Sequence, residues 1–151
     1  MTQESPLRAA GPADVATIVA FMEPFNAEID VPFDVAVGAR LVREFLANPA
    51  LGRLWLIERQ GRAVGYVALA FGWSFEYRGR DGIVDELYVE PAARRRGLAR
   101  AALGALLAEA AAEGLCAVHL EVERDSDPAE RLYRSLGFAG NDRQLLTRRL
   151  R

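Results

Sequence analysis

The sequence contains one cysteine and one histidine in 151 residues. A single thiol, Cys116, excludes an internal disulfide and suits a reducing cytoplasm. Positive charge is not in excess: 19 Lys and Arg stand against 21 Asp and Glu, a formal net charge of -2. General attraction for nucleic acid is therefore not expected. No apolar run is long enough to span a bilayer, and no basic start with an apolar middle marks a leader. Repeats and linkers are also lacking, so the expectation is one domain over residues 1–151. Hydrophobic residues make up 51%, enough for one core.

What is present reads as alternating strands and helices. A short strand around Leu7–Ala9 precedes Gly11-Pro12, where Pro12 and Asp14 suit a first helical turn. Ile18, Val19 and Met22 give that helix an apolar face, and it should fade where Pro24 and Pro32 interrupt. A second helix spans Asp34 to Ala47, stopped by Asn48-Pro49. Apolar runs at Leu54–Glu58 and Ala63–Phe71 flank "RQGR" as a hairpin. "GWSFEYRGRDG", a loop or a hairpin turn with aromatics, leads to the strand "IVDELYVEP". A helix follows from about Arg96 to Glu113, ended by Gly114. "CAVHLEVE" alternates as a strand. In "DPAERLYRSLGF", Asp127 is placed to cap a short helix, with Pro128 at its first position and Glu130 completing a capping box. One or two short strands should finish the chain. The fold class is α/β (α+β): a mixed, mostly antiparallel sheet with one parallel crossover and helices packed on its faces.

The stretch "YVEPAARRRGLARAAL", residues 88–103, raises a question of charge. A helix N-terminus carries about +0.5 of an elementary charge, so bases are disfavoured there. Three arginines, Arg94 to Arg96, nevertheless precede the helix. They are either solvated or matched to a strong anion. The order strand, loop, glycine, helix start can form a phosphate nest, with Gly97 letting the backbone approach closely. Neither a G-x-x-x-x-G-K-[ST] loop nor a G-x-G-x-x-G turn is present.

"RRRGLA", Arg94 to Ala99, resembles the R/Q-x-x-G-x-G/A signature of the GNAT superfamily of acetyl-CoA-dependent N-acetyltransferases. "DPAERLYRSLGF", Asp127 to Phe138, resembles that family's A-x-x-L-Y-x-x-x-G-F segment. The two blocks stand in the family's order and on the expected elements. The resemblance implies the GNAT fold, with a splayed parallel central strand pair. It implies acetyl-CoA as donor, an amine as acceptor, no metal, no nucleic-acid or membrane partner, a cytoplasmic setting and a homodimer.

The same resemblance assigns residues. Arg94, Arg95, Arg96, Gly97, Leu98 and Ala99, with Arg100, match the loop that holds the coenzyme A pyrophosphate, mainly through backbone N–H groups. Leu87, Tyr88 and Val89 match the strand whose free backbone pairs with pantetheine. Ser126 stands where many relatives have Asn, which leaves its cofactor contact less specified. Tyr133 matches the tyrosine expected to protonate the leaving thiolate, the alternative being a packing residue.

The chemistry also needs a base. An alkyl amine has a pKa of about 10.4 and is mostly protonated at neutral pH. Glu86 is the leading base, one residue before Leu87. Strict alternation puts it on one face with Val84 and Tyr88, and Asp85 on the other. The alternative is a solvated carboxylate or an ammonium partner. Glu121 and Glu123 are reserves. His119 is given no role, and Cys116 is read as a small buried hydrophobe.

Acids and aromatics between the first two helices suit a cationic acceptor, the alternative being a solvated acidic loop: Glu28, Asp30 and Phe33, with Glu123 from the later strand. Trp73, Phe75 and Tyr77 could wall the acceptor site or support a dimer. The function read here is acetyl transfer from acetyl-CoA to the primary amine of a small cationic molecule. A peptide or protein amine is the alternative acceptor. A noncatalytic acyl-CoA-binding module is the rival on the same fold, and an arginine-driven nucleic-acid binder is disfavoured by net charge.

Overall fold

The computed structural model describes residues 4–151. The chain forms two compact units, one ending at Glu121 and one comprising Val122–Arg151.

The first unit is a five-stranded sheet with helices on both faces. Its elements are β1 (Leu7–Ala9), α1 (Val15–Glu28), α2 (Val35–Ala47), β2 (Gly52–Arg59), β3 (Arg62–Ser74), β4 (Gly79–Val89), α3 (Leu98–Ala112) and β5 (Ala117–His119). The strands lie in chain order. β1 to β4 are antiparallel neighbours, and β5 runs parallel to β4 after the crossover through α3.

Alternation in β2 feeds both cores. Leu54 and Leu56 pack under α1 and α2, while Trp55 and Ile57 pack under α3. Tyr66 and Tyr88 pair across β3 and β4 and meet Phe21 and Phe25 of α1, ring centroids 5.9–6.5 Å apart. Each such aromatic pair adds about 0.5–1.5 kcal/mol beyond its buried area.

This cluster explains one departure from the sequence expectation. α1 does not fade at Pro24 but continues to Glu28. Pro24 has no N–H to give and disfavours a helix interior. Phe21 and Phe25 stand on either side of it, one helical turn apart, and both are pinned by the two tyrosines. The Asn26 side chain also donates to the Met22 carbonyl at 2.8 Å. Packing outweighs the local penalty.

Of the two readings of the aromatic stretch, the structure shows the hairpin turn. β3 extends through Ser74 and β4 starts at Gly79, so Trp73 belongs to a strand. Phe75 and Tyr77 occupy the tight turn, with Phe75 91% exposed. Cys116 is exposed rather than buried, because it sits in the bend before β5 with its N–H on the Arg80 carbonyl at 2.8 Å.

The largest difference concerns "CAVHLEVE". Only Ala117–His119 are strand, so Glu121 and Glu123 do not continue an alternating face. β4 has a register shift on its β3 side: Leu69 pairs with Val84 and Ala68 with Glu86, leaving Asp85 as an extra residue. A bulge bends its strand and can end pairing. Here β5 pairing stops at Ile83, two residues before the bulge.

In the second unit, α4 spans Asp127–Ser135. Its N-cap is Ser126, not Asp127, and no side-chain capping bond forms, so the expected capping box is absent. Pro128 still sits in the first turn, where no N–H is needed. No strand follows α4 among the described residues. The final segment places Leu145 beside Leu146 with arginines around them, so neither face of a strand there would be apolar; both leucines are exposed.

Candidate active site

β4 positions the site. On one side it is paired with β3 along its length. On the other side it pairs with β5 only at Asp81, Gly82 and Ile83. From Val84 to Val89 that second edge has no strand partner among the described residues. A free parallel edge offers alternating N–H and C=O groups to an extended ligand. Leu87, Tyr88 and Val89 lie on this stretch, as the sequence reading expects.

The bulge changes which side chains share a face. Val84 and Leu87 pack against the α3 core, while Tyr88 belongs to the α1–α2 core. Glu86 accepts a hydrogen bond from the Tyr66 hydroxyl at 2.8 Å and so lies with Tyr88. The expected grouping of Val84 with Glu86 and Tyr88 is therefore corrected. Asp85, the extra residue, is also corrected: it does not turn away but lines the same cleft as Glu86.

That cleft has a volume of about 260 Å³. Its walls are apolar: Met22 of α1, Phe33 of the connection, Leu41, Val42 and Phe45 of α2, and Leu54 of β2. Gly38 is required by the Phe33 ring, since a β-carbon there would lie 2.5 Å from Phe33 Cζ. Glu86, Asp85 and Asn26 provide the polar lining. Burial raises the Glu86 carboxyl above the ordinary range, and the nearby Asp85 charge adds to this. The Tyr66 hydroxyl opposes the rise by bonding the ionised form. Tyr66 is itself fully buried, and its phenol is pushed well above its usual pKa by burial and by the Glu86 charge.

Several residues expected at the acceptor are elsewhere. Phe33 lines the cleft, but Glu28 does not; its Oε1 takes a 2.5 Å bond from Arg94. Asp30 ends α1 in a left-handed turn, φ 55°, and is not in the lining. Glu123 belongs to the second unit and is exposed. Trp73, Phe75 and Tyr77 do not line the cleft. Sequence reasoning missed Asn26 and Tyr66. A polar residue inside the apolar stripe of α1, and a tyrosine within the apolar run Ala63–Phe71, were the available signals.

The arginine loop sits at the far end of the open β4 edge. Gly97 is the N-cap of α3 in the left-handed region, φ 73°, and Arg95 is left-handed as well, φ 61°. Space above Gly97 is open, with nothing within 4 Å of an added β-carbon. The first intrahelical bond runs from Ala101 N–H to the Gly97 carbonyl at 3.0 Å, so the N–H groups of Leu98 and Ala99 have no acceptor within the helix. Arg94 turns back into the fold. Its Nε donates to the Val89 carbonyl at 2.7 Å, and its guanidinium lies 5.5 Å from the Tyr88 ring centroid. Arg95 and Arg96 are exposed.

In the second unit, Tyr133 is half-buried and meets Phe138 edge-on, centroids 6.2 Å apart. Burial raises its phenol pKa, which keeps it a neutral donor at pH 7. Ser126 holds the Glu130 N–H by its backbone carbonyl at 3.0 Å, leaving its hydroxyl outside the cap.

Among the described residues, no group of three or more His, Cys, Asp or Glu is placed to hold a metal. No described helix is long and apolar enough to cross a membrane.

A sheet opened along one parallel edge, beside a glycine-headed helix and a carboxylate cleft, places the chain among acyl-group transferases. The profile of the acetyltransferase (GNAT) family matches residues 20–138, and the chain belongs to that family, whose members use acetyl-CoA. Mycothiol acetyltransferase of Thermobispora bispora is 40% identical over 90 residues, which is 56% of this chain and 29% of that protein. The chain thus matches less than a third of that relative's length. An integron cassette protein from the Cole Harbour salt-marsh metagenome is 33% identical, with a TM-score of 0.87 over 97% of this chain and 91% of its own. A predicted acetyltransferase of Clostridium acetobutylicum, whose structure was solved with acetyl-CoA, shares the fold: TM-score 0.77, 23% identity, 94% of each chain covered.

Proposed function

We propose that the chain transfers the acetyl group of acetyl-CoA directly to the primary amine of a small cationic molecule, with Glu86 as base and Tyr133 as acid. The observation that carries the proposal is the unpaired β4 edge, Val84 to Val89. It runs from the cleft carboxylate Glu86 to the strand end beside the arginine loop. Acetyl-CoA supplies an activated acetyl thioester.

The backbone of Leu87, Tyr88 and Val89 is assigned to the pantetheine amides. The N–H groups of Gly97, Leu98 and Ala99 are assigned to the pyrophosphate, which would also be favoured by the helix dipole. Arg95 and Arg96, with Arg100, add charge around it. Arg94 acts indirectly, by bracing Val89 and Tyr88. Ser126 is kept as a cofactor neighbour by its position in the family pattern.

The amine must lose a proton for its lone pair to attack. Glu86 accepts it, directly or through one water, and then holds a neutral carboxyl that burial favours. The C–N bond forms as the C–S bond breaks and the Tyr133 hydroxyl gives its proton to the sulfur; the nitrogen sheds its second proton, which restores the Tyr133 phenol through water, and Glu86 releases the first to solvent. The two units are proposed to work as one catalytic domain, an idea supported by the family match running across both. A cytoplasmic setting and a homodimer belong to the same proposal, on the family resemblance alone.

The test is calorimetric binding of acetyl-CoA followed by turnover on an amine panel. Products are read by mass, since exposed Cys116 would itself react in a thiol-trapping assay. Tight binding with no acetylated product from any amine would favour the noncatalytic module.

A further inference from the structure

We infer that the acceptor is a monoamine with an apolar body, whose ammonium end meets Asp85, Glu86 and Asn26 and whose carbon skeleton fills the cleft between α1 and α2. The inference rests on the acetyl-transfer reading and narrows its substrate class.

Three observations carry it. First, the acids that would hold a second cation are not in the cleft: Glu28 is bound to Arg94, and Asp30 lies outside the lining. Polar lining is confined to Asn26, Asp85 and Glu86, and none of the lining residues is basic. Second, Asn26 is only 8% exposed, and its Nδ2 is committed to the Met22 carbonyl. That bond takes one N–H of the amide and orients it, and its Oδ1 is proposed as an acceptor for an N–H of the ligand. Two carboxylates and one amide oxygen match the donors of a primary ammonium. They repel a carboxylate on the same carbon. Third, the remaining walls are alkyl and phenyl side chains, which reward methylene and ring carbons and leave a distal charge without a partner.

Size sets the limit. A volume of 260 Å³ equals about nine water volumes at roughly 30 Å³ each, so the acceptor has on the order of ten non-hydrogen atoms. Phenethylamine and hexylamine are of that size.

The experiment measures kcat/KM for unbranched alkylamines from propyl to decyl, phenethylamine, 1,4-diaminobutane, spermidine and phenylalanine, with product read by mass. The expected result is a rise of about fourfold per methylene, the equivalent of ~0.8 kcal/mol, ending near the length that fills the cleft. Phenylalanine should fall about 100-fold below phenethylamine, the repulsion of like charges about 6 Å apart at an effective dielectric of about 20. Leu41→Glu, at a wall position that is 51% exposed and so tolerant of charge, should raise the diamine-to-hexylamine ratio at least tenfold. A flat length series, a preference for diamine or spermidine in the unaltered protein, or an unchanged ratio in Leu41→Glu overturns the inference while acetyl transfer stands. If acetyl-CoA binds and no amine is turned over, acetyl transfer itself falls and the inference with it.

Discussion

The sharpest prediction concerns a residue that touches neither donor nor acceptor in the proposed scheme. Tyr66→Phe removes one hydroxyl and keeps the ring volume of a fully buried side chain. The lost bond is the 2.8 Å donation to Glu86 Oε1. A hydrogen bond to an ionised group is worth about 1.5–3 kcal/mol, and to a neutral one about 1 kcal/mol. Ionised Glu86 therefore loses about 0.5–2 kcal/mol more than protonated Glu86. At 1.36 kcal/mol per unit, its pKa rises by about one unit. The carboxyl is already raised by burial, so the acid limb of kcat/KM lies above the usual carboxylate range in the unaltered protein. In Tyr66→Phe that limb moves to higher pH by about one unit. Below the limb the rate falls about tenfold; on the alkaline plateau it changes by less than about twofold. The assay is the pH profile of kcat/KM with one amine, with folding checked by near-ultraviolet circular dichroism. A limb that stays in place or moves to lower pH would refute Glu86 as the titrating base. A plateau loss above tenfold would show that the hydroxyl itself meets the substrate.

Glu86→Gln should lower kcat/KM by about 10² to 10⁴ and abolish the acid limb; loss of acceptor affinity alone, with the limb intact, makes Glu86 a binding residue. The same raised carboxyl has a stability consequence: its folded pKa exceeds its unfolded one, so stability falls as pH rises through that window. Denaturant melts of Glu86→Gln should lack this decline. Gly97→Glu should weaken acetyl-CoA binding at least tenfold by calorimetry, whereas Gly97→Asn, tolerant of the left-handed φ of 73°, should bind within about threefold. Arg94→Ala should cost about 1 kcal/mol of stability, mostly from the Val89 bond because the Glu28 pair is solvent-screened. It should reduce acetyl-CoA affinity less than the double change at Arg95 and Arg96. Tyr133→Phe should lower kcat with little effect on acetyl-CoA binding; full turnover at every pH removes Tyr133 as the acid.

Elements with a strong local signal were legible in the sequence. Alternation and the "RQGR" turn located β2 and β3, and Gly97 and Gly114 bracketed α3 within two residues. Pro24 misled because its local penalty is visible in sequence, whereas the Phe21–Tyr66 and Phe25–Tyr88 contacts that outweigh it are tertiary. The bulge misled more seriously. Strict alternation is the only rule a strand sequence offers, and nothing in "IVDELYV" marks Asp85 as the extra residue. One inserted residue moved Val84 to the opposite face from Glu86 and brought Asp85 into the cleft. That Glu86 lines a cleft was legible; which residues stand beside it there was not. Likewise, acidic loop residues resembled an amine pocket because sequence could not show Arg94 reaching Glu28 across 66 positions.

In the proposed scheme the arginine cluster divides into two roles. A positive triplet before a helix is unfavourable by the helix dipole alone. Arg94 escapes that penalty by pointing away from the helix end, onto the Val89 carbonyl, Glu28 and the Tyr88 ring. It therefore stabilises the end of the strand whose other residues remain open on the β5 side. Without such a brace, an unpaired strand end would be free to close against β5 or fray, because its backbone groups gain bonds either way. Arg95 adopts a left-handed backbone two residues before Gly97, which starts α3 with open space where a β-carbon would stand. The loop chemistry and the open edge thus depend on one another. The bulge, two residues beyond the end of the β5 pairing, also brings Asp85 into the cleft beside Glu86, so in the proposed scheme one strand joins the donor edge to the acceptor cleft.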